Sequence, residues 1–303
     1  MMHASSTRAS GRRVEAVERR GKWLRIALDQ GAIFSHLGMT GKWVQASPKD
    51  QALRFEKVRL DLVAGRKKSS VRYLDPRLFG RFVVPAQDLP VWTGLGPDPL
   101  VDGIVVAALH AKLQRRKLAI KPVLLDQTVL AGIGNIYATE GLFTARIDPR
   151  RAASSLTRAE TSALARGLKK ALLASIARNT EEVITYVEEP GAENPFVIYG
   201  NEGTPCPRCK RPLGKMVLGG RGTVFCSSCQ RRRGGRASSV LGGGGVQRRK
   251  AERDADRPER RSVYLACTEA PQRGGVGLHG VALVLREAVA RILAIELAHV
   301  CVA

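Results

Sequence analysis

The stretch that decides the fold is CPRCKRPLGKMVLGGRGTVFCSSC, residues 206–229. It contains two Cys-x₂-Cys pairs with a spacer of sixteen residues between them: Cys206, Cys209, Cys226 and Cys229. A hairpin-sized spacer between two close pairs places four thiolates at the corners of a tetrahedron, which is the geometry that Zn²⁺ prefers. Because four thiolates leave no open position for a catalytic water, the pattern predicts a zinc ribbon with one structural zinc ion. The alternative, two disulfides in a secreted domain, is disfavoured because a chain of 303 residues can bury a core without covalent staples.

The net charge predicts a polyanionic partner. Lys and Arg number 50 and Asp and Glu number 27, which gives a formal charge of +23. Such an excess favours nucleic acid, whose phosphates bind cationic proteins through counterion release. An anionic membrane surface is the competing interpretation. The sequence has no uncharged apolar run of the roughly 18 residues that cross a bilayer, so we expect no membrane partner. Cys267 and Cys301 fit no ligand spacing, which agrees with a reducing compartment. We expect a monomer in the cytoplasm, associated with the nucleoid.

Residues 11–91 have the pattern of an antiparallel β-sandwich. Residues 1–10 lack apolar periodicity and are predicted to be a disordered start. After them, alternating segments such as RVEAVER and VRLDLV recur between turns, which indicates a sandwich or barrel of short strands. The predicted strands are residues 13–19, 23–28, 33–37, 43–45, 58–62, 71–74 and 81–84.

Residues 100–195 are predicted to form a helical domain that binds DNA. They follow a Pro- and Gly-rich segment, WTGLGPDP (residues 92–99), which is predicted to be a linker. Thr157 followed by Glu160 is the signature of a capping box at the start of the longest helix. The predicted helices are residues 104–113, 120–125, 136–143 and 158–177.

The ribbon and a tail complete the predicted order of domains. The zinc ribbon occupies residues 196–232. Residues 233–303 begin with a Gly- and Arg-rich run and are predicted to be a low-complexity, disordered tail, in which residues 281–297 have the pattern of an amphipathic helix. The predicted fold class is therefore α+β, with a β-sandwich, a helical domain and a C-terminal zinc ribbon.

The segment LAGIGNIY, residues 130–137, joins two predicted helices through a Gly-bounded turn. Such an arrangement directs backbone N–H groups and a helix N-terminus at a phosphate. Asn135, at the entry of the second helix, either caps that helix or hydrogen-bonds a phosphate. A run of cations upstream is usually a solvated face, but beside this turn we expect it to contact nucleic acid. Its members are Lys112, Arg115, Arg116, Lys117 and Lys121.

Several longer motifs follow one another from the β-rich part to the ribbon. HLGMTGKW and YLDPRLFGRF lie in the first part, AIKPVLLDQ and LAGIGNIYATEGLFTARIDP in the helical part, and VIYGNEGTPCPRC and GGRGTVFCSSCQ in the ribbon. In this order they resemble the motifs of the formamidopyrimidine-DNA glycosylase and endonuclease VIII family, from about Gly11 to Arg231. The resemblance implies a helix–two-turn–helix in the helical domain and duplex DNA with an oxidised or abasic lesion as the partner.

The resemblance also implies how such a protein handles DNA. In this family the damaged nucleotide is flipped out of the duplex, and side chains fill the gap. By motif position these wedges are Met39, Arg77 and Phe79. The alternative is that Met39 and Phe79 are core residues. The presence of both Arg77 and Phe79 is similar to the formamidopyrimidine branch, which implies base-excision repair of oxidised purines by a DNA glycosylase and AP lyase.

Further roles are implied by the same motifs. Lys22, in RRGKWL, matches a lysine that lies near the lesion phosphate and is assigned proton donation in β-elimination. Arg221 matches a zinc-finger arginine that holds phosphate and assists δ-elimination. Asn135 and Arg116 match phosphate-contacting positions. His36 is either a donor to a phosphate or a buried, hydrogen-bonded histidine.

The beginning of the chain departs from the family pattern. The family starts with a proline whose amine attacks C1′ of the damaged nucleotide, followed by a glutamate that acts as the acid. This sequence starts Met1-Met2-His3, so we expect the catalytic N-terminal segment to be absent and the β-sandwich to be truncated, with an exposed sheet edge. The alternative function is therefore a non-catalytic protein that binds damaged DNA. A zinc-ribbon protein that binds RNA or the ribosome is a third interpretation, which the wedge and helix–two-turn–helix motifs disfavour.

Overall fold

The computed structural model describes residues 8–64, 66–178 and 194–231, and the backbone of residues 264–267. Of the predicted disordered start, only residues 8–10 are described. They form a helical turn, and Ala9 is buried in the β-sandwich core, so the prediction of disorder is wrong for these three residues. The amphipathic helix predicted for residues 281–297 lies outside the described part of the chain.

The N-terminal domain is a sandwich of two four-stranded sheets. One sheet has the order β1-β2-β3-β7 and the other the order β10-β5-β6-β4, in which β10 is Tyr264–Cys267. All seven strands that we predicted for this region are present, within a few residues at each end. Their bounds are β1 Val14–Arg20, β2 Trp23–Leu28, β3 Ala32–His36, β4 Lys42–Ala46, β5 Glu56–Ala64, β6 Lys67–Leu74 and β7 Arg81–Val83.

The core of the sandwich follows from the alternation along its strands. Successive side chains point to opposite faces, so Leu24 and Ile26 of one sheet meet Trp43, Leu60 and Val71 of the other. Each of these side chains is almost fully buried. Burial of this kind supplies the main driving force for the domain, at about 25 cal/mol per Å² of apolar surface.

The tenth strand comes from the far end of the chain. Strand β10, Tyr264–Cys267, pairs in parallel with β5, where Leu265 lies opposite Leu60 and Cys267 opposite Leu62. Our prediction of disorder is therefore wrong for these four tail residues. The expected exposed edge is also corrected, because β10 supplies partners for the backbone N–H and C=O groups at that side of β5.

The helical region contains the four predicted helices, a short helix before them and one 3₁₀ turn. Thr157 and Glu160 form the predicted capping box: the Glu160 amide donates to Thr157 Oγ1 at 3.2 Å, and the Thr157 amide donates to Glu160 Oε2 at 2.9 Å. The helix bounds are α1 Pro90–Thr93, α2 Val106–Gln114, α3 Ile120–Leu125, α4 Asn135–Thr144 and α5 Arg158–Arg178, with a 3₁₀ turn at Ala153–Ser155. Among the described helices, none combines the length and the hydropathy that a membrane crossing requires.

The predicted linker, residues 92–99, is a packed joint between the first two domains. Asp98 is buried in it and accepts two hydrogen bonds from the Arg19 guanidinium, at 2.7 and 3.1 Å. The same carboxylate accepts hydrogen bonds from the amides of Gly21 and Leu100, both at 2.8 Å. Because both oxygens are fully used, the end of β1 is fixed relative to the start of the helical domain.

The zinc ribbon packs on α4 through buried polar groups. Its hairpin is β8 Gly214–Leu218 and β9 Arg221–Phe225. The Glu140 carboxylate, on α4, accepts hydrogen bonds from three consecutive amides, those of Val197, Ile198 and Tyr199. Gln230 accepts from the Cys226 amide and donates to the carbonyl of Ile147. The ribbon is thus held on the helical domain at both of its ends.

We predict that Asp98→Ala destabilises the protein by about 3 kcal/mol, because Arg19 is then a buried charge without its partner. The free energy of unfolding from urea titration measures this change. The control is Asp88→Ala, which removes an exposed carboxylate at 3.5 Å from Arg25 and should cost less than about 1 kcal/mol. Equal losses in the two variants would contradict a special role for the joint.

Candidate nucleic-acid interface

Three loops of the β-sandwich meet at one end of the first sheet. In the strand register, Trp23 lies opposite His36, and His36 lies opposite Arg81. The turn between β1 and β2, which carries Lys22, is therefore beside the loop of residues 37–41 and the loop of residues 75–80. This end of the sheet collects Lys22 and all three predicted wedge residues.

The predicted wedge side chains point into solvent. Met39 is 42% exposed, Phe79 is 58% exposed, and Arg77 is also exposed. Two large apolar side chains held in solvent at adjacent loop tips are not core residues, so the alternative interpretation of Met39 and Phe79 is wrong. Leu78, which we had not singled out, is 62% exposed and has a left-handed backbone with φ of +61°.

Strong local contacts hold the second wedge loop in this shape. The buried Asp75 carboxylate accepts hydrogen bonds from the Leu78 amide at 3.1 Å and from the Gly80 amide at 2.8 Å. An Asp side chain that bonds the backbone ahead of it stabilises a tight turn, and Pro76 fixes the first residue of that turn. The left-handed conformation of Leu78 costs energy, which these contacts offset. The signal in the sequence was the Asp-Pro pair of YLDPRLFG.

His36 supports the first wedge loop. Its Nδ1 accepts a hydrogen bond from the Gly38 amide at 3.0 Å, and its ring meets Trp23 edge-on at a centroid distance of 5.1 Å. Of the two interpretations that we left open, the structure thus gives His36 an intramolecular role at the base of the Met39 loop.

Lys22 and Arg221 approach each other across two domains. Gly219 and Gly220 both have positive φ and form a two-residue turn, which puts Arg221 at the tip of the ribbon hairpin. Gly21 packs against Ala131 and Gly132, where an added Cβ would lie 3.0 Å from backbone and side-chain atoms. Burial, followed by the charge of Arg221, lowers the pKa of Lys22 to about 8. The Lys22 ammonium has no hydrogen-bond partner among the described residues, so the pair can accept an anion.

Lys121 is buried and therefore does not belong to the exposed basic patch that we predicted. It is 0% exposed, and its ammonium donates to Thr223 Oγ1 at 2.7 Å and to the Gly222 carbonyl at 3.1 Å. The prediction that Lys121 contacts nucleic acid directly is wrong, because its charged group lies between α3 and β9. Burial and the charge of Arg221 lower the pKa of Lys121 to about 8. Lys121 instead holds the strand that carries Arg221.

Two other members of the predicted patch contact the segment before α4. Lys112 donates to the carbonyl of Thr128 at 3.0 Å, and the exposed Arg116 pairs with Asp126 at 3.3 Å. Asn135 is the first residue of α4 rather than its cap, since Gly134 occupies the cap position without a side-chain hydrogen bond. The capping interpretation of Asn135 is therefore wrong. Its Oδ1 is buried without a partner in the described structure.

The four cysteines form the predicted metal site. Their Sγ atoms all lie within 4.8 Å of one another, with 3.9 Å between Cys206 and Cys229 and 3.5 Å between Cys209 and Cys226. Four sulfurs about 2.3 Å from a zinc ion lie about 3.8 Å apart, so the set fits one tetrahedral zinc. Burial raises the pKa of Cys229 to about 12, so a bound cation is needed to keep its thiolate form.

We predict that Cys226→Ser loses the zinc ion, because an alcohol is a poor replacement for a thiolate ligand. Zinc content by elemental analysis should fall from about one ion per chain to near zero. Ser228→Ala is the matched control, since it changes the same turn outside the ligand set and should retain the metal. Retention of zinc by Cys226→Ser would refute the ligand assignment.

Family models match all three domains. The model of the formamidopyrimidine-DNA glycosylase N-terminal domain matches residues 2–82, the model of its H2TH domain matches residues 95–186, and a zinc finger found in FPG and IleRS matches residues 203–232. The first match begins at residue 2, and it does not support our expectation that an N-terminal segment is absent.

Curated relatives and solved structures agree with these matches. A formamidopyrimidine-DNA glycosylase from Pseudomonas paraeruginosa is 37% identical over 230 residues, which are 74% of this chain and 84% of the relative. One from Desulfitobacterium hafniense is 39% identical over 229 residues, 73% of this chain and 82% of the relative. The Lactococcus lactis Fpg in complex with DNA that contains an abasic site superposes with a TM-score of 0.61 at 29% identity, over 73% of this chain and 83% of that one. The MutM (Fpg) protein of Thermus thermophilus gives a TM-score of 0.56 at 35% identity, over 73% and 84%.

The matches extend over the sandwich, the helical domain and the ribbon, and they include the segments that carry the wedge loops and the four cysteines. By sequence, domain order and fold, the chain belongs to the formamidopyrimidine-DNA glycosylase family.

Proposed function

We propose that this protein is a base-excision DNA glycosylase and AP lyase that acts on oxidised purines, such as 8-oxoguanine and formamidopyrimidine, in duplex DNA. The observation that carries the proposal is the end of the β-sandwich where exposed apolar wedges lie beside a cationic pair. A wedge alone would suit any protein partner, and cations alone would suit any polyanion. Their combination suits a duplex from which one nucleotide is extruded.

The wedge residues would replace the extruded nucleotide. The Phe79 ring can stack on a base, the flexible Met39 thioether can fill an irregular gap, and the Arg77 guanidinium can donate to the orphaned base. Unstacking a base costs a few kcal/mol, and apolar side chains that enter the stack offset part of that cost. Preformed loops reduce it further, because the protein does not have to order them on binding.

The cationic residues would hold the DNA backbone around the lesion. Lys22 and Arg221 approach a common point from two domains, so one phosphate can accept from both. Asn135 at the start of α4, the N–H groups of that first turn, and Arg116 would hold a neighbouring phosphate. A phosphate bound between Lys22 and Arg221 would also offset the electrostatic repulsion between these two cations, and this favours its binding.

The elimination chemistry would use the same pair. A phosphate held by Lys22 and Arg221 is oriented as a leaving group, and the Lys22 ammonium can supply a proton as the bond to it breaks. No described residue is assigned as the amine that attacks C1′. The net charge of +23 supports a DNA partner and a place on the nucleoid in the cytoplasm, and we propose that the protein acts as a monomer.

A second candidate is a protein that binds damaged DNA without catalysis. The wedge loops and the phosphate-binding residues are complete without a nucleophile, which is the observation that favours it. The two candidates differ in one chemical step. A lyase forms an imine between an amine and C1′ of the opened sugar with loss of water, whereas a binding protein does not.

Borohydride trapping on a duplex that contains 8-oxoguanine, or an abasic site, separates the two candidates. We expect a covalent adduct, which peptide mass spectrometry locates, and no adduct on an undamaged duplex. Arg221→Ala should reduce strand cleavage more than adduct formation, since it acts on the leaving phosphate. Damage-selective, salt-sensitive binding without any adduct would refute the lyase and support the second candidate.

We predict that affinity for a duplex with a stable abasic-site analogue falls as the pH rises above about 8, the lowered pKa of Lys22. Phosphate binds the protonated amine, so above this pH each binding event takes up a proton, and affinity should fall by up to roughly tenfold per pH unit. Fluorescence anisotropy at constant ionic strength measures the profile.

The matched variants are Lys22→Gln and Lys112→Gln. Lys22→Gln should flatten most of the profile, and any slope that remains reports Lys121, whose pKa is also lowered to about 8. Lys112→Gln should weaken binding without changing the slope. A full slope in Lys22→Gln would exclude Lys22 as the titrating contact.

A further inference from the structure

One buried side chain lies between the two wedge loops. Tyr73, on β6, is 2% exposed, and its hydroxyl donates a hydrogen bond to the Leu37 carbonyl, at 3.2 Å, where the first loop begins. Gly41, where that loop ends, and Gly80, where the second loop ends, both face the same hydroxyl. A Cβ added to either glycine would overlap Tyr73 Oη. Three loop ends therefore converge on one oxygen atom.

The two loops also touch each other directly. A Cβ on Gly38 would lie 2.6 Å from the Phe79 carbonyl carbon and 2.7 Å from the Gly80 nitrogen. This approach is possible only without a side chain at position 38, where φ is +69°. Movement of the Met39 loop therefore requires movement of the Phe79 loop, since their backbones are in van der Waals contact.

The glycines at 41 and 80 differ from Gly38 in one respect. Neither has a positive φ, so the backbone at these positions accepts any residue. A Cβ at either position would overlap Tyr73 Oη before any other atom; one on Gly41 would also overlap the Leu37 carbonyl oxygen, and one on Gly80 would lie 3.0 Å from Asp75 Oδ2. The two glycines thus leave room for the Tyr73 hydroxyl between the ends of the wedge loops.

We infer that Tyr73 is a positioning residue for nucleotide extrusion, which holds both wedge loops as one unit so that Met39, Arg77 and Phe79 enter the duplex together. The inference rests on the proposed function, because it assigns a purpose to the wedge. Tyr73 does not contact DNA, since it is buried beneath the loops. Its effect is to reduce the ordering cost of the loops before the DNA arrives.

The test compares Tyr73→Phe with Thr161→Val. The first removes the hydroxyl and leaves the ring in the core. The second also removes one buried hydroxyl, which donates to the Thr157 carbonyl at 3.0 Å at the start of α5, in the helical domain and not in the wedge loops. Thermal unfolding of both variants controls for loss of stability. Affinity for undamaged duplex at several salt concentrations controls for backbone binding.

The readout is the fluorescence of 2-aminopurine placed beside a stable abasic-site analogue, which rises when the base unstacks. In stopped-flow mixing with the full-length protein, Tyr73→Phe should unstack the base roughly three- to tenfold more slowly than wild type, the range expected from one lost hydrogen bond. Thr161→Val should match wild type. Affinity for undamaged duplex should be unchanged in both variants.

Two results overturn the inference in different ways. If wild type unstacks the base and Tyr73→Phe does so equally fast, the positioning role is wrong and the proposed function stands. If wild type itself gives no fluorescence rise on damaged duplex, extrusion by this wedge is wrong, and the inference fails with it.

Gly80→Ala tests the same contact from the opposite side. Its Cβ would displace the Tyr73 hydroxyl or the second loop, so unstacking should slow as in Tyr73→Phe. The double variant should be faster than Gly80→Ala alone, because removal of the hydroxyl returns part of the space. Slowing that is simply additive would show that Tyr73 and Gly80 act independently, and would overturn the inference.

Discussion

The buried ion pair between Arg19 and Asp98 is the interaction on which the arrangement of the domains depends. Asp98 lies in a segment with the composition of a loose linker, yet its carboxylate accepts hydrogen bonds from Arg19, Gly21 and Leu100. Burying this pair has a desolvation cost that offsets much of its electrostatic attraction. Its main effect is therefore to fix the relative position of the two domains. It fixes the turn that carries Lys22 against the helical domain, on which the ribbon that carries Arg221 is also held.

The position of Arg221 depends on a second set of buried polar groups. Glu140 holds the entry to the ribbon, Gln230 holds its exit, and Lys121 holds the strand that follows the hairpin tip. The zinc site holds the two Cys pairs of the ribbon together, and these contacts fix the orientation of the ribbon on the helical domain. The orientation matters here because Lys22 and Arg221 repel each other, so without these contacts the hairpin would move Arg221 away from Lys22.

Most of the secondary structure and the zinc site were predictable from local patterns. Apolar and polar residues alternated along the strands, and apolar residues recurred with a 3.6-residue period along the helices. The Thr157–Glu160 pair marked the start of the longest helix, and the spacing of the Cys-x₂-Cys pairs indicated the four zinc ligands. Each error concerns burial, an exact helix boundary or a distant strand pairing, which local patterns do not specify. Lys121 belonged to a basic run in sequence but faces inward across a domain boundary, and Asn135 lies one position inside its helix. Strand β10 pairs with a strand about two hundred residues earlier, which no local signal specifies.

The sequence by itself determined which elements form, that four thiolates bind zinc, that the chain prefers a polyanion, and, through its motifs, the family. These properties are local or additive, so neighbouring residues suffice to specify them. Only the tertiary structure decided that Tyr73 lies between two wedge loops, that Lys121 supports Arg221 instead of DNA, and that a short linker is a rigid joint. Each of these depends on which groups share a buried volume, and burial is a property of the packed chain as a whole.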